Sequence, residues 1–427
     1  VLGGSVSAIH ADVVATLVAH ANAHPTGEVA WSFDQGAWTE TDHSIMPIGM
    51  FDSGIGGLTV LEAILALDVV DNDTLQPGAD GRPDFVNERF IYFGDQANMP
   101  YGNYPAAGHA DFLRERILKD AIFLLGRRYH PAALAPAPAR DKPPVKAIVI
   151  ACNTATAYGL EDIRAAVAAW DIPVFVLGVV EAGARGLLEI EAEATADSMA
   201  VLATVATCAS GIYTRTISHT LEQAGRTVPV IFEQGSAQLA AAIEGDPAVA
   251  GQVDDIIRHD LRALLGQLRA QPDAAPIRSV MLGCTHFPLV LPRIEAAFAE
   301  LQADPAFAGL VAAPRVYVDP AEWTARELWR ELAARGLLRR AVAAAPTATW
   351  STDQLFIAVA NAAWPDVEIE PGGGFSYAYK YGRTAGQPGN EDTLVIPLTA
   401  ATLPAGGADL VRTQLPLVWR RIAGGLR

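Results

Sequence analysis

Ala147-Ile148-Val149-Ile150-Ala151-Cys152-Asn153-Thr154-Ala155-Thr156 is the stretch whose reading decides the fold. Its apolar, partly β-branched run is bounded by Pro143-Pro144 on one side and by small polar residues on the other. That pattern predicts a central parallel strand buried on both faces, and ligands gather outside the carboxyl ends of such strands. Cys152 therefore falls where chemistry usually sits. A lone thiol is more often an inert core residue, because free cysteine is among the most buried residue types. The balance shifts because Ser279-Val280-Met281-Leu282-Gly283-Cys284-Thr285-His286 repeats the layout: an apolar strand, a small residue, a cysteine, then hydrogen-bonding side chains.

Outward from these two strands, the chain alternates strand and helix patterns. Residues 46–51 predict a short strand that runs into Asp52-Ser53-Gly54-Ile55-Gly56-Gly57 and a helix with apolar Leu58, Leu61, Ile64 and Leu65. An Asp or Ser before a helix is most often only an N-cap, and the glycines lack the third member of G-x-G-x-x-G, so a nucleotide loop is rejected. Strands are expected at 89–95 and 173–180, and helices at 112–129 and 160–170. The second half restarts the pattern, with a strand at 199–204, a turn at 205–210 holding Thr207 and Cys208, a helix at 213–223, and a strand at 229–232. Helices at 237–243 and 253–268 lead back to the Cys284 strand. Such alternation predicts an α/β fold of two similar doubly wound, mostly parallel domains facing each other across a cleft. The boundaries read as an appendage over 1–46, a first domain over 47–180 completed by about 296–370, a second over 181–295, and an extension over 371–427. Residues 71–87 predict an exposed insertion and 131–144 a surface loop. In the extension, Phe375, Tyr377, Tyr379 and Tyr381 alternate as on one face of a strand, packed on the domain or in a homo-oligomer (dimer) interface.

Composition narrows the partners. The 427 residues are 51% hydrophobic, enough for more than one core, and 31 basic against 48 acidic residues leave a formal charge of −17. That balance disfavours nucleic acid and anionic membranes. Cys152, Cys208 and Cys284 form neither a closed disulfide set nor a zinc pattern, so reduced thiols and no metal are expected. No stretch reads as a transmembrane helix. A cytoplasmic location is expected, and a removed targeting peptide stays open because the chain begins at Val1.

Two thiols on opposite sides of one carbon suit removal of a proton from one face and its return on the other, with inversion at a stereocentre and no cofactor required. Asn153, Thr154 and Thr285 could stabilise a thiolate, while Asp52 and His286 could move its proton. The segments 48–57 (IGMFDSGIGG), 91–102 (IYFGDQANMPYG), 149–157 (VIACNTATA), 203–213 (ATVATCASGIY) and 282–289 (LGCTHFPL) resemble the bacterial glutamate racemases of the aspartate/glutamate racemase superfamily. The resemblance covers 47 to about 369. It implies cofactor-independent interconversion of L- and D-glutamate, supplying D-glutamate for peptidoglycan and cell shape. It further implies Cys152 and Cys284 as the acid/bases, with Asp52 and His286 assisting. Ser53, Pro100, Tyr101, Gly102, Asn153, Thr154, Thr207 and Thr285 would complete the amino-acid site, and Glu233 falls close to a family glutamate. Cys208 is expected as a core or near-site residue. The alternatives are a related racemase or isomerase acting on aspartate or a hydantoin, a binding protein without turnover, and a redox pair, which the absence of C-x-x-C disfavours.

Overall fold

A computed structural model describes residues 4–39, 41–190, 198–246, 248–249, 251–271, 274–340, 352–404 and 406–424. Ten strands are described: β1 (Ile48–Asp52), β2 (Phe90–Gly94), β3 (Ala147–Ile150), β4 (Phe175–Gly178), β5 (Ser198–Thr204), β6 (Ile231–Ser236), β7 (Ile277–Gly283), β8 (Val311–Val318), β9 (Gln354–Ala360) and β10 (Thr393–Pro397). They form a six-stranded sheet of order β10-β9-β2-β1-β3-β4 and a four-stranded sheet of order β6-β5-β7-β8. Every pairing is parallel except β10 on β9. The expected architecture of two parallel-sheet α/β units is the one observed.

The continuous apolar runs explain this choice. Every residue of β1, β2 and β3 is buried, as a parallel strand covered by helices on both faces requires. The covering helices sit close because glycines leave room for them. A Cβ at Gly159, on helix Asn153–Trp170, would lie 2.2 Å from Ile117 of helix Ala110–Leu125. One at Gly186 would lie 2.3 Å from the Trp323 ring. Both contacts bury large apolar side chains, each worth about 1.5–3 kcal/mol relative to exposure.

Several segments depart from expectation. The N-terminal residues are not peripheral: helix Gly4–Ala23 is followed by Trp31, Phe33 and Trp38, all buried in the same cluster as β3, and Val13 and Leu17 of the helix join it. The side chains of Val6 and Ile9 lie outside the described residues. The segment expected as a turn at 205–210 is a short helix, capped by the Thr204 hydroxyl, which accepts from the Thr207 amide. Strand β6 continues through Glu233 to Ser236, past the predicted end. The aromatic run 375–381 is not a strand: Tyr377–Gly382 is a helix, capped by Ser376, and it is β10 downstream that joins the first sheet. No helix among the described residues is long and apolar enough to cross a membrane.

Candidate active site

Strand order sets the site. Because β1 lies between β2 and β3, Asp52 at the end of β1 and Cys152 just beyond β3 emerge side by side. Because β7 lies beside β5, Cys284 emerges next to the Thr204 turn. The two sets of strand ends meet through hydrogen bonds that cross between the sheets. Thr154 Oγ1 lies 3.0 Å from Thr204 Oγ1 and 3.1 Å from Thr207 Oγ1. The Tyr213 hydroxyl donates to Asn153 Oδ1 at 2.5 Å, and the Thr59 hydroxyl donates to the Thr285 carbonyl at 3.1 Å.

Cys152 is the N-cap of helix Asn153–Trp170, accepting from the Ala155 amide at 3.4 Å and donating to Ser53 Oγ at 3.8 Å. A helix N-terminus favours a thiolate. Burial wins over it: burial first, and then the neighbouring Asp52 carboxylate, push the Cys152 thiol well above the usual range. Asp52 is itself raised, chiefly by burial, although His286 and Cys152 pull the other way. Its Oδ2 accepts from the Gly57 amide at 2.7 Å. Its Oδ1, together with Asn153 Nδ2, is buried without a hydrogen-bond partner among the described residues. An orphaned acceptor and an orphaned donor thus flank one thiol, and buried polar atoms left so are uncommon enough to require a reason.

Cys284 is equally buried but differently partnered. Its Sγ lies 3.5 Å from His286 Nδ1, and His286 Nε2 lies 2.7 Å from Glu244 Oε1. Burial disfavours an imidazolium, yet the hydrogen bonds to Cys284 and Glu244 outweigh it and raise His286 well above its ordinary range. Gly56 makes room for the ring, since a Cβ there would fall 2.3 Å from His286 Cε1. Glu244 also spans the cleft: Oε1 accepts from the Ile55 amide at 3.3 Å and Oε2 from Gln96 Nε2 at 2.9 Å. One thiol therefore sits by a carboxylate and the other by an imidazole held by a carboxylate.

The remaining predicted residues divide. Ser53, Asn153, Thr154, Thr207 and Thr285 are all buried at the strand ends. Pro100 lines a cavity of about 270 Å3 together with Gln96 and Glu244, and Gly102 abuts Thr204, 3.3 Å from where a Cβ would stand. The Tyr101 hydroxyl, by contrast, turns into the protein and shares hydrogen bonds with the Asp95 carboxyl at 2.7 Å and the Asp120 carboxyl at 2.5 Å. Glu233 bonds the Thr214 amide and hydroxyl and raises Cys208, second to burial. Sequence reading missed Glu244, Thr204 and Tyr213. For Thr204 a signal existed, as an N-cap next to Thr207; Glu244 ends an ordinary apolar helix and carries none.

The Asp/Glu/hydantoin racemase family matches residues 125–325. The glutamate racemase of Limosilactobacillus fermentum is 30% identical over 262 residues, 61% of this chain and 76% of that protein. That of Thermus thermophilus is 32% identical over 292 residues, 68% and 82% of the two chains. The crystal structure of the glutamate racemase isoform RacE1 from Bacillus anthracis shares the fold, with a TM-score of 0.50 and 23% identity over 73% of this chain and 88% of that one. With such identity spread over most of the relatives' length, the chain belongs to the family of glutamate racemases, within the Asp/Glu/hydantoin racemases.

Proposed function

We propose that this protein interconverts L- and D-glutamate without a cofactor, using Cys152 and Cys284 as the two acid/bases, and so supplies D-glutamate for peptidoglycan in the cytoplasm. The observation that carries the reading is the pairing of two buried thiols, each with its own proton partner, at strand ends joined across one cleft. The relatives that match are named glutamate racemases, and this supports glutamate as the substrate.

In the mechanism, one thiolate takes the Cα proton: the C–H bond breaks, an S–H bond forms, and the electron pair spreads into the α-carboxylate. The thiol on the other face then gives its proton to Cα, leaving a thiolate there. An ordinary thiol has a pKa of about 8.5 and is only slightly ionised at neutral pH. His286, raised by its bonds to Cys284 and Glu244, is the cation suited to sit beside a Cys284 thiolate. Cys152, pushed up by burial and Asp52, is suited to hold its proton. The orphaned Asp52 Oδ1 matches the substrate ammonium and Asn153 Nδ2 the α-carboxylate. Hydrogen-bond donors aimed at the growing carboxylate charge stabilise the transition state.

The test is incubation with L-glutamate in deuterated water. The expected product is D-glutamate with solvent deuterium at Cα, and Cys152→Ser or Cys284→Ser abolishes its formation. Exchange with aspartate but not glutamate would reassign the substrate. Full turnover in either serine variant would end the two-thiol mechanism.

A further inference from the structure

The C-terminal segment reaches the candidate site. Lys380, on helix Tyr377–Gly382, donates to the Met99 carbonyl at 2.7 Å, directly before Pro100. The helix is locked to the 96–104 loop by its neighbours. Arg383 donates to Asn98 Oδ1 at 2.5 Å and to the Tyr104 hydroxyl at 3.0 Å, while paired with Asp392 at 2.8 Å. The Tyr381 hydroxyl accepts from Asn103 at 3.2 Å. Lys380 is thereby fixed on the wall of the cavity of about 270 Å3, opposite Glu244 and Asp246 of the other unit. Ligand sites for larger molecules begin near ~300 Å3, so this is the scale of a single amino acid. Glu244 both lines the cavity and bonds His286, so one side chain separates the cavity from the imidazole.

We infer that Lys380 is a substrate-binding residue that receives the side-chain carboxylate of an amino diacid in this cavity, on its way to the thiols. The inference rests on the glutamate reading above. A chain of formal charge −17 repels an anionic substrate, and a cation fixed at the approach offsets that locally. An ammonium carries three donors and Met99 takes one. The lining offers both signs: Glu244 suits the substrate ammonium and Lys380 its distal carboxylate, while the Asp246 carboxylate on the same wall competes for the Lys380 charge.

The test is steady-state kinetics with L- and D-glutamate on the full chain, comparing wild type, Lys380→Met, Lys380→Arg and Asp246→Asn. Loss of a charge-assisted contact on the entry path slows substrate capture, so kcat/KM falls about tenfold in Lys380→Met through a raised KM with kcat within about twofold, and Lys380→Arg restores KM. Asp246 is exposed, and asparagine keeps an acceptor for the Ala248 amide, so Asp246→Asn reports even if Lys380→Met does not fold. Removing that competing carboxylate lowers KM. A wild-type KM in Lys380→Met, a loss confined to kcat, or an unchanged or raised KM in Asp246→Asn overturns the assignment. Wild-type protein that does not racemise glutamate overturns the functional reading itself and this inference with it; normal wild-type turnover with unresponsive variants overturns the Lys380 role alone.

Discussion

Replacing Gly56 by alanine should disable catalysis through one methyl group. The added Cβ would stand 2.3, 2.6 and 2.7 Å from Cε1, Nδ1 and Nε2 of His286. Carbon atoms rest at about 3.5–4.0 Å, so the ring must retreat by roughly 1 Å. It cannot do so and keep both partners, since Nδ1 already lies 3.5 Å from Cys284 Sγ and Nε2 is held at 2.7 Å by Glu244. Gly56 is not among the glycines with positive φ, so alanine brings no backbone strain and the effect is steric. A misplacement of about 1 Å at a reacting group costs about 100-fold in rate, or ~2.7 kcal/mol of transition-state stabilisation. The assay is the initial rate of L- to D-glutamate conversion by circular dichroism at low substrate, which gives kcat/KM, with a thermal melt to establish folding. Gly266→Ala is the control: nothing lies within 4 Å of its added Cβ, and it sits within helix Val253–Arg269. It should leave activity unchanged and gain roughly 0.5–1 kcal/mol of stability. A folded Gly56→Ala protein with kcat/KM within about threefold of wild type, well short of the ~100-fold expected from misplacement, would refute the role given to the imidazole.

The pH profile of kcat/KM should be bell-shaped, falling at low pH as the thiolate base is protonated and at high pH as the thiol acid ionises. Because burial and Asp52 push Cys152 up, the basic limb should lie above the ordinary thiol range, and Asp52→Asn should draw it down; a limb that Asp52→Asn does not move would count against their coupling. Elsewhere, Lys146→Met should destabilise the fold. The Lys146 ammonium is fully buried, donating to Glu88 at 2.7 Å and to the Ser44 and Leu337 carbonyls. Without the ammonium the buried Glu88 carboxylate keeps the Arg339 amide at 2.8 Å but loses its ion-pair partner; breaking a buried pair costs about 3–5 kcal/mol, read as a lowered midpoint of denaturation that Glu88→Leu in the same chain partly restores.

The strand ends were legible because a parallel strand buried on both faces leaves a continuous apolar run, and such a run stops where chemistry begins. Asp52, Cys152, Cys284 and His286 all stand where that rule puts them, at or just past the carboxyl end of a buried strand. Glu244 does not, since it lies 42 residues from His286 and meets it only through the packing of two sheet units. The surroundings of the Tyr101 hydroxyl are hidden for the opposite reason: its motif is local, but Asp95 and Asp120 hold that hydroxyl from positions that spacing does not reveal. The aromatic run 375–381 is ambiguous in principle, because residues two apart on a strand face are also pairs four apart on a helix. The helix wins here: Ser376 caps it, and the tilted ring pairs Phe375–Tyr379 and Tyr377–Tyr381 meet four residues apart, with centroids at 5.1 and 4.7 Å.

The two thiols look alike in sequence and are unequal in surroundings, and on the two-thiol reading this inequality has a kinetic consequence. Each turnover leaves the proton on the opposite sulfur, so the free enzyme alternates between two forms. Burial and Asp52 favour the form in which Cys152 keeps its proton, and the raised His286 favours it from the other side of the cleft. One enantiomer binds this majority form, with its Cα–H toward Cys284. The other requires the minority form, so its apparent affinity falls by the fraction of enzyme that is competent. Enantiomers have equal free energies, which forces kcat/KM to be the same in both directions at every pH. The enantiomer with the higher KM must then have a kcat higher by the same factor. Asp52→Asn, by easing the bias on Cys152, should bring both ratios closer to one together; KM and kcat ratios left at their wild-type values would exclude Asp52 as a source of the bias.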